Sequence, residues 1–314
     1  MTNLTFIDRA RGMLLGLACG DAVGAAVEFK PRGSFPPVTD LLGGGKFRLE
    51  PGEWTDDTSM ALCIADSLLA SGGFNAADQM ARYKQWIDTG YRSCKPHPIG
   101  IGKTVLQAMM RYQRSGEPFC GSTDARSAGN GALMRLAPIP LFYSNNLDLT
   151  RHFAMESTRT THAAEECLAA SELFSELLHH ALHGRIAPSN SLPVSPMDTW
   201  PDSIKALARG EFRNKSYEEL KGSGYVVESL EAALWCWDRA KDYESAILLA
   251  VNLGDDADTT AAICGQLAGA THGESNIPIK WLNKLVGYDE LINLAERLAN
   301  QKSVPAAPTG SDQL

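Results

Sequence analysis

Two short acidic runs hold the residues best suited to chemistry: Trp54-Thr55-Asp56-Asp57-Thr58 and Gly254-Asp255-Asp256-Ala257-Asp258-Thr259. Each places aspartates and a threonine directly before a segment with helical periodicity. A plain helix start is one explanation, because Thr or Asp caps a first turn and carboxylates suit the positive end of the helix dipole. The second run makes that explanation costly. The residues after it, Ala261 to Ala270, are nearly all apolar and small, so the helix start is expected to be buried and its carboxylates to repel one another. Burying an unpaired ion costs on the order of several kcal/mol, and the neighbouring sequence offers no Arg or Lys. A bound cation would compensate. Asp56, Asp57, Asp256 and Asp258 carry four negative charges, which two divalent ions match. With Thr55 and Thr259 the donors are all oxygen, a set that selects Mg²⁺, Mn²⁺ or Ca²⁺ over zinc or copper. Neither run fits an EF-hand, which needs a 12-residue loop ending in Glu.

Two glycine-rich stretches imitate nucleotide motifs. Gly100-Ile101-Gly102-Lys103-Thr104 ends like a phosphate loop, but the first glycine of that motif would fall at His97, and no strand precedes it. Gly129-Asn130-Gly131 lacks the third glycine of a dinucleotide fingerprint. It can still form a nest of backbone N–H groups for a phosphate, or be an ordinary loop turn.

The elements that position these residues read as helices. Met60, Cys63, Ile64, Ser67 and Leu68 recur at helical spacing after Asp57. Met80-Tyr83-Trp86-Ile87, Val105-Met109-Tyr112, Leu168-Leu173-Leu177 and Val227-Leu230-Leu234 continue the pattern. Ala261–Ala270 predicts a central helix buried on all sides. No period-2 strand stands out, so the expected class is all-α. One domain is expected over residues 4–300, with a Pro/Ser-rich surface loop at about 187–202 and a disordered tail at 301–314.

Composition narrows the function classes. Of the 314 residues 44% are apolar and 21% charged, with a formal net charge of −8 and no long Lys/Arg run. A sequence-independent grip on nucleic acid is therefore not expected, nor is attraction to anionic membranes. The seven cysteines include no C-x-x-C pair and read as buried thiols of a reducing compartment. Arg9, Arg11 and the apolar run Gly12–Cys19 imitate a signal peptide. However, Asp8 and Asp21 flank the run closely, and Gly24-Ala25-Ala26 continues its small-residue spacing, as in a packed internal helix of a cytoplasmic protein. No stretch reaches the roughly 18 apolar residues of a membrane span.

Five stretches together resemble the ADP-ribosylglycohydrolase family, in its order: Gly20-Asp21-Ala22-Val23-Gly24 with Glu28, Trp54–Thr58, Ser127–Arg135, Arg159-Thr160-Thr161-His162, and Gly254–Thr259. They span about residues 10 to 270. The resemblance implies an all-α fold with a dinuclear Mg²⁺ or Mn²⁺ centre held by Thr55, Asp56, Asp57, Asp256, Asp258 and Thr259. It places Glu28 beside the metals, and Ser127, Gly129, Asn130 and Gly131 at the phosphates and ribose of ADP-ribose. His162 falls at a pocket histidine of the family, although a satisfied core histidine is the simpler reading of that residue alone. Gly100 falls at the substrate side of the site, where the dinitrogenase reductase-activating branch carries an aspartate.

The implied reaction is metal-dependent hydrolysis of a glycosidic bond to ADP-ribose, most simply from arginine on a modified protein, with Glu28 and Asp57 as catalytic carboxylates. Serine, poly(ADP-ribose) or O-acetyl-ADP-ribose are alternative substrates. An immunity protein that counters an ADP-ribosylating toxin, or an inactive ADP-ribose-binding homologue, are alternatives of another class.

Overall fold

The computed structural model describes residues 4–301; the tail expected at 301–314 lies outside these residues except for Gln301. The described chain forms α1 (Phe6–Gly24), α2 (Asp56–Ser71), α3 (Ala76–Thr89), α4 (Lys103–Ser115), α5 (Pro138–Phe142), α6 (Leu147–Arg159), α7 (Glu165–Leu182), α8 (Asp202–Ala208), α9 (Val226–Arg239), α10 (Tyr243–Val251), α11 (Ala257–His272), α12 (Ile279–Leu282) and α13 (Tyr288–Ala299). Among the described residues strand pairing is confined to isolated bridges, of which Pro31 with Gly254 and Gly129 with Tyr225 tie loops together. The fold is all-α, as the periodicity predicts. Among the described residues no helix is long and apolar enough to cross a membrane.

The centre of the molecule is an antiparallel pair. α11 is buried from Ala257 to Ala270, and α1 from Gly12 to Gly24. Glycines one turn apart line the contact. A Cβ built on Gly12 would lie 2.3 Å from the Gly269 carbonyl oxygen, on Gly16 2.2 Å from that of Gly265, and on Gly20 2.2 Å from that of Ala261. At Gly24 the same test meets the Asp258 backbone at 2.4 Å. Residues i and i+4 of a helix share a face, so this four-residue spacing forms one continuous groove and brings the two backbones together. Polar side chains lock the pair: Tyr243 Oη donates to the Gly16 carbonyl at 2.8 Å, and the Arg9 guanidinium caps α11 through the Ala270 and Thr271 carbonyls at 2.9 and 2.7 Å.

The Pro-rich stretch runs as irregular chain between α7 and α8, and it is not wholly a surface feature. Trp200 is buried in the core, and its indole N–H donates to Glu172 Oε2 at 2.7 Å. All seven cysteines are free thiols, and only Cys94 is not fully buried.

Gly16→Ala tests the α1–α11 contact. Alanine favours an isolated helix over glycine by about 1 kcal/mol, whereas overpacking a close contact costs about 1–3 kcal/mol and occasionally more. The clash is with backbone on both sides, so it is expected to win. The urea midpoint should fall with an unchanged slope; an equal or higher midpoint would mean that the helices lie farther apart than described.

Candidate metal centre and active-site cleft

The two acidic runs meet where α1 ends and α2 and α11 begin. Asp21, on the last turn of α1, is fully buried. It accepts hydrogen bonds from the Thr55 amide (3.0 Å), the Thr55 hydroxyl (2.9 Å), the Thr58 amide (3.0 Å) and the Thr58 hydroxyl (2.6 Å). The N-terminus of α2 is therefore capped by a carboxylate from another helix, and Thr55, at the N-cap position, makes no side-chain cap. Asp256, at the N-cap of α11, makes none either. The helix-start explanation of these runs leaves both N-cap side chains without the role it assigns them.

The runs touch directly. The Thr55 hydroxyl lies 3.5 Å from Asp258 Oδ2, and the Thr259 hydroxyl 3.5 Å from Asp57 Oδ1. Glu28, Asp256 and Asp258 each offer an oxygen within 4.8 Å of the others. Asp255, counted with this run in the sequence, is instead exposed, with its backbone at φ 55°, and lines the cleft beside Asp256. The charge match of four aspartates to two divalent ions is thus incomplete: the structure adds Asp21 and Glu28 to the same cluster.

Burial, and then the mutual repulsion of these groups, raises the carboxyl affinities for protons. Burial foremost pushes Asp56, Asp57 and Asp258 well above the usual carboxylate range, and Asp256 in the same direction. Glu28 rises to about 8, by burial and then by Asp256 and Asp21. Asp21 rises only to about 6, because four hydrogen bonds oppose its burial. Glu28 Oε2, Asp57 Oδ2 and Asp258 Oδ1 are buried without a hydrogen-bond partner. Orphaned oxygens in an all-oxygen, like-charged cluster are what a hard divalent cation satisfies, so the residues fit the metal centre that the sequence suggested.

Above the cluster opens a cleft of about 740 Å³. Glu28, Asp56, Asp256, Asp258 and Thr259 form its floor; Thr55 and Asp57 lie beneath it. Gly129, Asn130, Gly131 and His162 line the cleft together with Gly100 to Val105, where α4 begins; Thr104 and Val105 lie next to the glycine loop, 3.7 and 3.8 Å from a Cβ built on Gly129 and Gly131. Lys46 and Phe29 stand at the mouth, with the ammonium 4.2 Å from the ring centroid. Asn130 Nδ2 donates to Asp256 Oδ2 at 2.6 Å and to Ser229 Oγ at 3.1 Å, which couples the glycine loop to the floor. Ser127 does not line the cleft; its hydroxyl donates to the Asp124 carbonyl at 2.6 Å and closes a local turn. Gly100 takes φ 79°, and a Cβ there would lie 2.3 Å from Asp56 Oδ1. The missing side chain therefore leaves room for Asp56.

Sequence reasoning gave Asp21 no role of its own, although a lone carboxylate inside an apolar, glycine-spaced helix is a signal of buried polar chemistry. It also passed over Arg135, which is fully buried near Asp56 and Asp57. It ends the stretch Ser127–Arg135, but its residue type alone gave it no role.

This architecture defines a class. The ADP-ribosylglycohydrolase family model matches residues 2–308, and the chain belongs to that family of glycosidic-bond hydrolases. It is 40% identical over 293 residues to the ADP-ribosylarginine hydrolase Tri1 of Serratia proteamaculans (strain 568), covering 93% of this chain and 79% of that protein. It is 33% identical over 291 residues to the ADP-ribosyl-[dinitrogen reductase] glycohydrolase of Rhodospirillum rubrum, covering 91% and 92%. Among solved structures it is similar to an ADP-ribosylglycohydrolase-related protein complex, with a TM-score of 0.84 and 43% identity over 94% of this chain and 98% of that one.

Two outcomes are expected. Carboxyls whose affinities are raised on folding bind more protons folded than unfolded, so stability is present at low pH and is lost as pH rises through the folded values. For Asp21 and Glu28 that window runs from about 4 to about 8. Metal-free protein should melt at lower temperature at pH 8 than at pH 5, and Mg²⁺ or Mn²⁺ should raise the melting temperature most at pH 8. A flat pH dependence without metal would count against the cluster. Gly100→Ala should displace Asp56 and blunt the metal-induced rise in the same melting assay.

Proposed function

We propose that the protein removes ADP-ribose from modified arginine side chains of proteins, using two divalent ions, Mg²⁺ or Mn²⁺, held by Thr55, Asp56, Asp57, Asp256, Asp258 and Thr259, with Glu28 at the same cluster. The observation that carries this reading is the row of orphaned carboxylate oxygens on the floor of a cleft large enough for a nucleotide-sized ligand. The choice of arginine is supported by the Tri1 relatives, 40% and 41% identical, whose names specify ADP-ribosylarginine.

The chain's own groups divide the work. The amides at the start of α4 line the cleft beside Gly131 and suit a diphosphate, whereas the Gly129 and Asn130 amides donate to the Ser127 and Gly224 carbonyls. Lys46, at the mouth, adds positive charge on an otherwise acidic protein. Divalent ions held by these residues would supply charge neutralisation and Lewis acidity toward a water. Hydrolysis then breaks the C1″–N bond through an oxocarbenium-like state and joins water oxygen to C1″. The Glu28 carboxylate takes the proton lost by that water, and the proton ends on the departing guanidine. Asp57, beneath the floor, acts through the position of the other carboxylates.

Release of ADP-ribose from ADP-ribosyl-arginine peptides, set beside ADP-ribosyl-serine peptides, tests this function. Turnover is expected on arginine with Mg²⁺ or Mn²⁺, lost on chelation and restored on adding metal back; Asp56→Ala and Asp258→Ala should abolish it. Full activity of a chelated preparation, or preference for serine, would overturn the assignment. Glu28→Gln at saturating metal should lower kcat by about 10²–10⁴-fold, the usual worth of general-base help, while calorimetric binding of ADP-ribose is largely retained. A loss of only a few-fold would remove Glu28 from the chemical step.

A further inference from the structure

Arg135 is an anomaly of charge. It is 1% exposed, yet among the described residues it makes no ion pair with a carboxylate. Its guanidinium lies 4.7 Å from the Tyr83 ring centroid, Nη1 meets Met60 Sδ at 3.4 Å, and Nη2 donates to Thr161 Oγ1 at 2.5 Å. Thr161 Oγ1 lies 2.8 Å from His162 Nδ1. These three residues form a buried chain that ends in the cleft, since His162 is one of its lining residues.

The direction of the chain follows from donor counting. A guanidinium has only donors, so Thr161 Oγ1 must accept from Arg135. The threonine proton then has one partner among the described residues, His162 Nδ1. That nitrogen is the acceptor, which leaves the proton of the neutral ring on Nε2. Nε2 has no hydrogen-bond partner among the described residues. It faces the glycine loop, 3.2 Å from a Cβ built on Gly131 and 3.4 Å from one built on Gly129. Glycine at both positions leaves this N–H uncovered. We propose that Arg135, acting through Thr161, is a positioning residue that fixes His162 as the Nε2–H tautomer and so aims a neutral donor at the diphosphate of the substrate. Burial and then the charge of Arg135 hold the imidazole well below its usual range, at about 3, so a second donor at Nδ1 does not arise near neutrality. The diphosphate as recipient rests on the function proposed above; the tautomer does not.

The experiment separates the two. In the Mg²⁺-loaded protein with ¹⁵N-labelled histidine, long-range nitrogen–proton correlation should show His162 as a single Nε2–H tautomer. Thr161→Val removes the hydroxyl and keeps the shape, and should yield mixed tautomers. It should also weaken calorimetric binding of ADP-ribose by about tenfold or more, the worth of a hydrogen bond to a charged group. Thr161→Ser should restore both. Arg135→Lys, which loses the planar fork, should mix the tautomers as Thr161→Val does. An Nδ1–H tautomer or an imidazolium in the parent protein, or an unchanged tautomer in Thr161→Val, overturns the relay. A changed tautomer with unchanged ADP-ribose affinity overturns its role in binding. Failure of ADP-ribose to bind the parent protein would instead refute the proposed function, and the tautomer measurement would still decide the relay.

Discussion

Backbone-to-backbone contact between α1 and α11 is the constraint from which the cleft inherits its geometry. With no Cβ at Gly12, Gly16, Gly20 and Gly24, α1 lies against α11 closely enough that side chains leaving the two helices share one small volume. Asp21, one residue after Gly20, and Asp258, against Gly24, are thereby set beside each other at the end of the pair. Asp21 then reaches α2 and caps it, so three helix ends converge on one point. Each extra methyl at the contact would have to move a main chain, not a rotamer, and interiors are packed too densely to absorb that locally.

The convergence is electrostatically unfavourable by itself. Six buried or half-buried carboxyls share one cluster with little compensation: Asp21 has its threonines, Asp256 has Asn130, and Arg135 sits behind Asp56 and Asp57. A fold stable elsewhere tolerates such a site because the remaining interior is apolar and well filled. The strain is local and chemical, and a cation relieves it. The same closeness explains why a side chain at residue 100 has no room: the helix start bearing Asp56 and the loop before α4 approach until only glycine fits.

Much of this was legible residue by residue. The all-α class followed from apolar spacing, since the period of hydrophobic residues reports which face is buried. The central burial of α11 followed from the absence of any polar face in Ala261–Ala270. The metal reading of the two acidic runs followed from like charge at a buried helix start. Less legible was the membership of the cluster. Asp255 and Asp256 are equivalent as letters, but with a left-handed backbone at Asp255 the first is an exposed residue of the cleft and the second meets Glu28 and Asp258. Ser127 sits in a motif whose neighbours line the cleft, yet its hydroxyl closes a turn.

The sequence by itself determined the chemistry available: hard oxygen donors, small residues at four-residue spacing, glycines in the wall loop, and a net negative charge. These are properties of residue type and local period, which need no knowledge of distant partners. Only the tertiary structure decided who acts on whom. Asp21 caps a helix 34 residues away, Glu28 meets Asp256 and Asp258, and Arg135 reaches His162 through a threonine 26 residues on. Hydrogen bonds and Coulomb forces act over a few ångströms in space, and separation along the chain does not enter them. Which groups come that close is set by how the helices pack.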